Sequence, residues 1–259
     1  MSARPLRSAG VRAAQGEIAE ARPAATVVVL RPGPDPTQLS PEVLLTLRPE
    51  SMAFGAGLHV FPGGSVDPRD VSAPILERSR SADGHRVAAL RELFEEAGVL
   101  IADRPDGSPA GSDPAFVAAK SGLRRALIAG EIELPQVLER FELVLATDRL
   151  VPVGHWLTPR AYPRRFDARF FAVELPTGAV LDLDPGEVAG HAWLTPGAAL
   201  AAMAAGQIQL WPPTSTTLQR LERAADIATL LGRLEFIEGL PFTTRDLGGG
   251  VIALTGGTA

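Results

Sequence analysis

The stretch from His85 to Ala97 constrains the fold more than any other, because it asks for a helix with one side in a core and three carboxylates on the other. Val87, Leu90 and Phe94 recur at helical spacing, with Ala88, Ala89 and Leu93 beside them. Asp83 stands where an N-cap region residue belongs and Gly98 where a glycine ends a helix. On the opposite side Glu92, Glu95 and Glu96 fall at i, i+3 and i+4 and share one face. Each like-charged pair there costs a few tenths of a kcal/mol even when solvated. The helix dipole also disfavours negative charge toward the C-terminus. A sequence optimised only for stability would place lysine or arginine there. A hard divalent cation removes the conflict, because carboxylate oxygens are its natural ligands. A merely solvated acidic face is the competing reading.

Composition narrows which cation. The 259 residues include no cysteine, which excludes disulfides, thiolate zinc sites and cysteine nucleophiles. The four histidines, at 59, 85, 155 and 191, are too scattered to suggest a cage. Oxygen ligation favours Mg²⁺ or Mn²⁺. The net charge of −5 gives no footprint for nucleic acid. Lys120 is the one lysine, so an anion-binding group is expected to be an arginine fork. No apolar stretch is long enough to span a membrane, no secretory h-region precedes Glu17 and Glu20, and the terminal Thr-Gly-Gly-Thr-Ala is not a peroxisomal tripeptide. A cytoplasmic protein with neither nucleic-acid nor membrane partners is expected, its oligomeric state open, a homodimer included.

Along the chain, residues 1–22 read as a flexible segment ahead of a single domain over 23–259. Strands are expected at Ala25–Leu30, Val43–Leu47, Leu58–Phe61, Val151–Leu157, Phe170–Leu175 and Glu187–Leu194. Residues 65–84 read as an irregular insertion with a turn of helix near Ile75–Arg78. A helical insertion at about 114–142 is split at Pro135, and a C-terminal helical extension at about 196–235 comprises Pro196–Ala205 and Thr216–Leu234. This order predicts an α/β fold in which a mixed β-sheet is packed with helices, rather than a doubly wound one. The glycine cluster Gly248–Gly250 lacks the strand-to-helix context of a dinucleotide site.

The string Arg91-Glu92-Leu93-Phe94-Glu95-Glu96-Ala97-Gly98-Val99 resembles the core of the Nudix box at every fixed position. Upstream, Gly64 and Asp70 match the glycine and acidic positions of the box, with Asp in place of Glu. Twenty residues, 71 to 90, then separate Asp70 from Arg91 where the family usually has about seven. The box is therefore interrupted. The segment Leu44-Leu45-Thr46-Leu47-Arg48, then Gly57, then Phe61-Pro62-Gly63-Gly64 is similar in spacing to the signature of the coenzyme A-cleaving branch, although that signature expects Ser or Ala at Pro49 and arginine at Ala53. Trp156-Leu157-Thr158-Pro159, Arg165-Phe166-Asp167, Trp193 and Trp211-Pro212-Pro213 extend the likeness.

The resemblance implies a Nudix-type α/β/α sandwich with additional helices, and metal-dependent hydrolysis of a phosphoanhydride in a small nucleoside diphosphate-linked substrate, coenzyme A or an acyl-coenzyme A first. A dinucleotide or nucleotide sugar is the alternative substrate, and a non-catalytic nucleotide-binding module the alternative class. Glu92, Glu95 and Glu96 would hold Mg²⁺ or Mn²⁺, and Arg91 would orient a box glutamate. Arg48 and Arg165, with Arg164 as substitute, are either phosphate clamps or structural ion-pair partners. Gly63 and Gly64 either admit the backbone close to the metal helix or phosphates, or form a plain turn. Glu187, expected to open a late strand, is either an additional ligand or base, or a surface acid. His59 either contacts substrate or is structural, and His85 belongs to the helix start. Trp156, Trp193 and Trp211 either include an adenine-stacking residue or pack the interior.

Overall fold

The computed structural model describes residues 19–33, 40–51, 55–158, 160, 162–222, 226–234, 242–246 and 252–255. Most of the N-terminal segment, Ala53, Pro159 and Gly248–Gly250 lie outside these residues.

The sheet is built around β1 (Ala21–Arg31), whose Val27 and Val29 face one side and Val28 and Leu30 the other, all fully buried. Such double-sided burial explains the unbroken apolar run. Beside it lie β2 (Glu42–Leu47), β3 (His59–Val60), β4 (Gly63–Ser65), β7 (Val151–Leu157), β8 (Arg165–Glu174) and β9 (Gly190–Leu194). The short β5 (Ala102–Asp103) and β6 (Val144–Leu145) form a separate pair. With β10 (Phe242–Asp246) and β11 (Ile252–Thr255), neither foreseen from the sequence, the main path runs β11-β10-β7-β8-β1-β2-β3, with β4 on β1 and β9 on β2. The β1–β8 and β7–β10 pairs are parallel and the rest antiparallel, so the sheet is mixed.

Helices cover both faces. α1 (Ala73–Leu76), α2 (Gly84–Ala97), α3 (Pro114–Ile128) and α4 (Leu134–Arg140) belong to the layer that meets Val27, Val29, Leu44 and Phe171. α5 (Pro196–Ala204), α6 (Pro212–Leu221) and α7 (Ile227–Leu234) cover Val28, Leu30, Val43 and Phe170. This is the expected α/β/α sandwich. None of the described helices is long and apolar enough to cross a membrane.

Several boundaries differ from the sequence expectation for identifiable reasons. β1 begins at Ala21, so the end of the supposedly flexible segment is sheet, and Arg165 Nη1 donates to Ala19 O at 2.7 Å. β8 starts at Arg165 because its first half, Arg165–Arg169, pairs in register with Ala21–Ala25 of β1 and is held extended. The expected Thr216–Leu234 helix is two: α6 starts at Pro212, where prolines suit a first helical turn, and Asp226 opens α7 by accepting from Thr229 N at 2.7 Å. The 65–84 insertion is ordered. It holds a short 3₁₀ turn at Pro68–Val71 and α1, and is tied down where Arg80 N donates to Leu145 O at 3.1 Å and Arg80 Nη2 meets the buried Asp103 carboxylate at 2.7 Å.

One irregularity positions the site. β1 pairs with β2 only at Leu30–Val43 and Arg31–Glu42, after which the two strands part. The 59–65 arm enters the wedge, β3 pairing with β2 and β4 with β1. Gly63 has φ 155°, and a Cβ there would lie 2.4 Å from Ala25 O and 2.7 Å from Thr26 Cα, so only glycine lets the arm seat this closely.

Candidate active site

α2 carries the site on a locally well-specified helix. Asp83 accepts from His85 N at 2.9 Å at its start. Gly98 closes it at φ 66° and gives its N–H to Phe94 O. Val87, Leu90, Leu93, Phe94 and Ala97 are completely buried, which fixes the rotation that turns Glu92, Glu95 and Glu96 toward the β3–β4 arm. Glu92 lies so close to Gly64 that a Cβ there would stand 2.4 Å from its Oε1, and Glu96 accepts from the Gly63 N–H. The two glycines are thus a strand pressed against the acidic face rather than a plain turn.

Arg91 is the hub. Its Nη1 donates to Glu92 Oε1 at 2.9 Å and to Glu95 Oε2 at 2.8 Å, and its Nη2 to Ser65 O at 3.0 Å. The acidic groups nevertheless sit uneasily. Burial, reinforced by the charges of Glu95 and Glu187 and opposed by Arg91, pushes the Glu92 carboxyl up to about 7. Glu95 is raised by burial and by Glu187 and Asp70. Glu96 retains some solvent contact but lies deep, and is raised well above the usual carboxylate range by burial, Glu92 and Glu187, against the pull of Arg48. Glu187 is raised too, by burial and Asp184. The charge of Glu187 thus acts on Glu92, Glu95 and Glu96 alike, with Arg91 and Arg48 as the opposing cations.

Among the described residues no group of three or more His, Asp or Glu side chains is posed to hold a metal ion. Arg91 draws one oxygen each of Glu92 and Glu95 to itself. The donor set still fits a hard divalent cation: carboxylates held together in a partly buried place, each made less acidic by its neighbours, form a site whose repulsion a cation would relieve.

The sequence model of the NUDT19 Nudix domain matches residues 81–221, more than half of the chain. The chain belongs to the Nudix hydrolase family. It is similar to putative nudix hydrolase 7 of Caenorhabditis elegans, at 28% identity over 184 residues, 71% of this chain and 57% of that protein. It is 30% identical over 249 residues to the acyl-coenzyme A diphosphatase NUDT19 of Homo sapiens, which covers 76% of this chain and 65% of that one. The chain therefore spans less than two thirds of either relative's length. Among solved structures, a NUDIX hydrolase from Alicyclobacillus acidocaldarius superposes with a TM-score of 0.68 at 27% identity, over 83% of this chain and 97% of that one.

The interruption of the Nudix box is bridged in space. Asp70 is 2% exposed; its Oδ1 accepts from Arg91 Nε at 2.8 Å and its Oδ2 from Arg91 Nη2 at 3.0 Å. A capping box orients it, with Asp67 N donating to Asp70 Oδ2 at 2.8 Å. The intervening residues pack inward as α1 and the first half of α2, with Ile75, Val87 and Leu90 in the core, so Asp70 meets Arg91 despite the added length.

The other sequence candidates separate clearly. Arg48, just past β2, is near enough to act electrostatically on Glu96 and Glu187, and its Nε lies 3.4 Å from where a Cβ on Gly55 would stand, with Trp211 on the same glycine. Arg165 instead gives Nε to Thr158 O at 3.0 Å as well as Nη1 to Ala19 O, so it staples the start of β8 to its neighbours. Trp156 packs in the second core against Phe170, and Trp193 lies under the Arg31 guanidinium at 4.2 Å. His59 donates its backbone N–H to Gln209 O at 2.8 Å, and burial lowers the pKa of its imidazole. Glu187 does not open β9, which starts at Gly190. It sits in a turn closed by Asp184, whose carbonyl accepts from Glu187 N at 3.1 Å and Val188 N at 2.8 Å.

Proposed function

We propose that this Nudix domain hydrolyses a phosphoanhydride bond in a nucleoside diphosphate-linked substrate, with coenzyme A or an acyl-coenzyme A as the first candidate, giving 3′-phosphoadenosine 5′-phosphate and a 4′-phosphopantetheine product. One observation carries the reading: Glu92 and Glu96 lie against Gly64 and Gly63, Glu95 shares Arg91 with Glu92, and the charge of Glu187 acts on all three. Glu92, Glu95 and Glu96 would hold Mg²⁺ or Mn²⁺, which when bound offsets the diphosphate charge and makes water more acidic. Arg91, fixed by Asp70, sets the orientation of Glu92 and Glu95. Arg48 offers a cation to phosphate oxygens beside Glu96. The coenzyme A preference draws on the likeness to the human acyl-coenzyme A diphosphatase and on the 44–64 segment, in which Pro49 and Ala53 depart from the branch signature.

A panel of coenzyme A, its 3′-dephospho form, an adenine dinucleotide and a nucleotide sugar, each with and without Mg²⁺ or Mn²⁺, tests this. An arginine contact to the 3′-phosphate is worth about 1.5–3 kcal/mol, or roughly one to two decades. Coenzyme A should exceed the dephospho form in kcat/KM by about that factor, and Arg48→Ala should narrow the gap. Equal values remove the 3′-phosphate contact. Cleavage of the dinucleotide or nucleotide sugar alone transfers the assignment to that substrate, and cleavage of nothing overturns the hydrolase reading.

A further inference from the structure

Residues 175–189, between β8 and β9, run as a strap across the C-terminal end of α2. Asp182 N donates to Ala97 O at 2.9 Å and Asp184 N to Glu96 O at 3.1 Å, so the strap satisfies carbonyls that the end of a helix leaves open. It lies so close that a Cβ on Gly98 would come within 2.9 Å of Asp182 O and Cβ; this box glycine makes room for the strap as well as ending the helix. Further on, Ala189 N donates to Leu47 O at 2.8 Å, one residue before Arg48. Glu187 is carried between these anchors.

α3 grips the strap from the far side. Lys120 Nζ donates to Val180 O at 2.8 Å and Ser121 Oγ to Asp182 Oδ2 at 2.7 Å. Arg124, 5% exposed, gives Nη1 to Asp182 O and sets Nη2 3.2 Å from Asp182 Oδ1. A buried arginine spending two nitrogens on one residue of an otherwise irregular segment is a costly arrangement unless that residue must stay put. α3 is itself packed on α2, with the Phe116 and Phe94 ring centroids 6.3 Å apart and the rings tilted.

We infer that Arg124 and Asp182 form a latch that positions Glu187 in the acidic cluster, which makes the α3 insertion a support of the active site and Arg124 a positioning residue for the reaction. The inference rests on the hydrolase reading above for its kinetic consequence, but not for its structural one. Supporting contacts of this kind are typically worth about 10- to 100-fold in activity. Arg124→Ala should lower kcat about tenfold with KM little changed, and Arg124→Lys should recover part of the loss. In a Glu187→Gln background the same substitution should cost almost nothing more, because both changes remove one contribution.

Amide hydrogen exchange of the 259-residue chain gives the activity-independent half of the test. Arg124→Ala should speed exchange at Asp182 and Asp184 while leaving the centre of α2 protected. Should Arg124→Ala not fold, Asp182→Asn is expected to show the same pattern at smaller size. Wild-type exchange in the strap of the folded variant, or a kcat loss fully additive with Glu187→Gln, overturns the latch. Faster strap exchange in a wild-type background that cleaves no substrate supports the latch and sinks the hydrolase reading instead.

Discussion

Two segments deliver carboxylates to the same place by opposite means. α2 is specified by local sequence: a capping aspartate, an apolar stripe at helical spacing and a terminal left-handed glycine set the helix and put Glu92, Glu95 and Glu96 on the face opposite its buried side. The strap has no periodic stripe of its own. Glu187 is placed by backbone bonds to Ala97, Glu96 and Leu47 and by a side-chain grip from α3. A helix makes a rigid platform but crowds like charges; a strap adds a fourth charge from outside at the price of depending on its neighbours.

The largest expected effect tests the helix side of that contrast. Glu95→Gln or Glu96→Gln should abolish turnover while the thermal midpoint holds or rises, since each removes a ligand charge and relieves repulsion. Near-normal kcat with Mg²⁺ in either variant would remove that residue from the site. Next comes the hub. Arg91→Ala strands the buried Asp70 and should cost about 3–5 kcal/mol by denaturant titration. A loss below about 1 kcal/mol, the scale of a surface pair, would show that the Asp70–Arg91 contact does not tie the interrupted box together.

The two arm glycines should then part company. Gly63→Ala drives a Cβ into the backbone of Ala25 and Thr26 and should destabilise the fold. Gly64→Ala meets only the movable end of Glu92, so activity should fall more than stability. Equal stability losses would mean that Glu92 is as rigid as the sheet. The smallest effect is a pH trend. Because Glu92 is raised to about 7 from 4.5, the metal-free native state binds more protons than the unfolded chain between those values. Stability must therefore fall as pH rises through that window, more steeply in the wild type than in Glu92→Gln. Parallel pH profiles would show that Glu92 ionises without strain.

The same contrast explains what could be read in advance. α2, its caps and its acidic face were legible because local periodicity and local charge both pointed to them. The apolar run of β1 was legible as a buried strand, and the order of strands and helices as a mixed sheet packed with helices. Asp70 was legible as a match but not in its partner, since its contact with Arg91 spans 21 positions and depends on how the insertion packs. Arg165 and Arg48 look alike in sequence, and only the parallel β1–β8 register, which draws Arg165 to the Ala19 carbonyl, tells them apart. Glu187 was noticed, yet its turn was misread as a strand because Asp184 folds the backbone back on itself there. Nothing local marks Arg124, whose partner Asp182 lies 58 positions away.

We propose that Glu92, Glu95 and Glu96 hold the divalent cation, with Glu187 of the strap acting electrostatically on them. Mn²⁺ binding followed by electron paramagnetic resonance on chelator-treated protein tests it most directly, comparing the wild type with Glu96→Gln and Glu187→Gln. Saturable binding in the wild type, lost in Glu96→Gln and weakened in Glu187→Gln, is the predicted result. Mn²⁺ binding of equal strength in all three proteins, or none in the wild type, would contradict it.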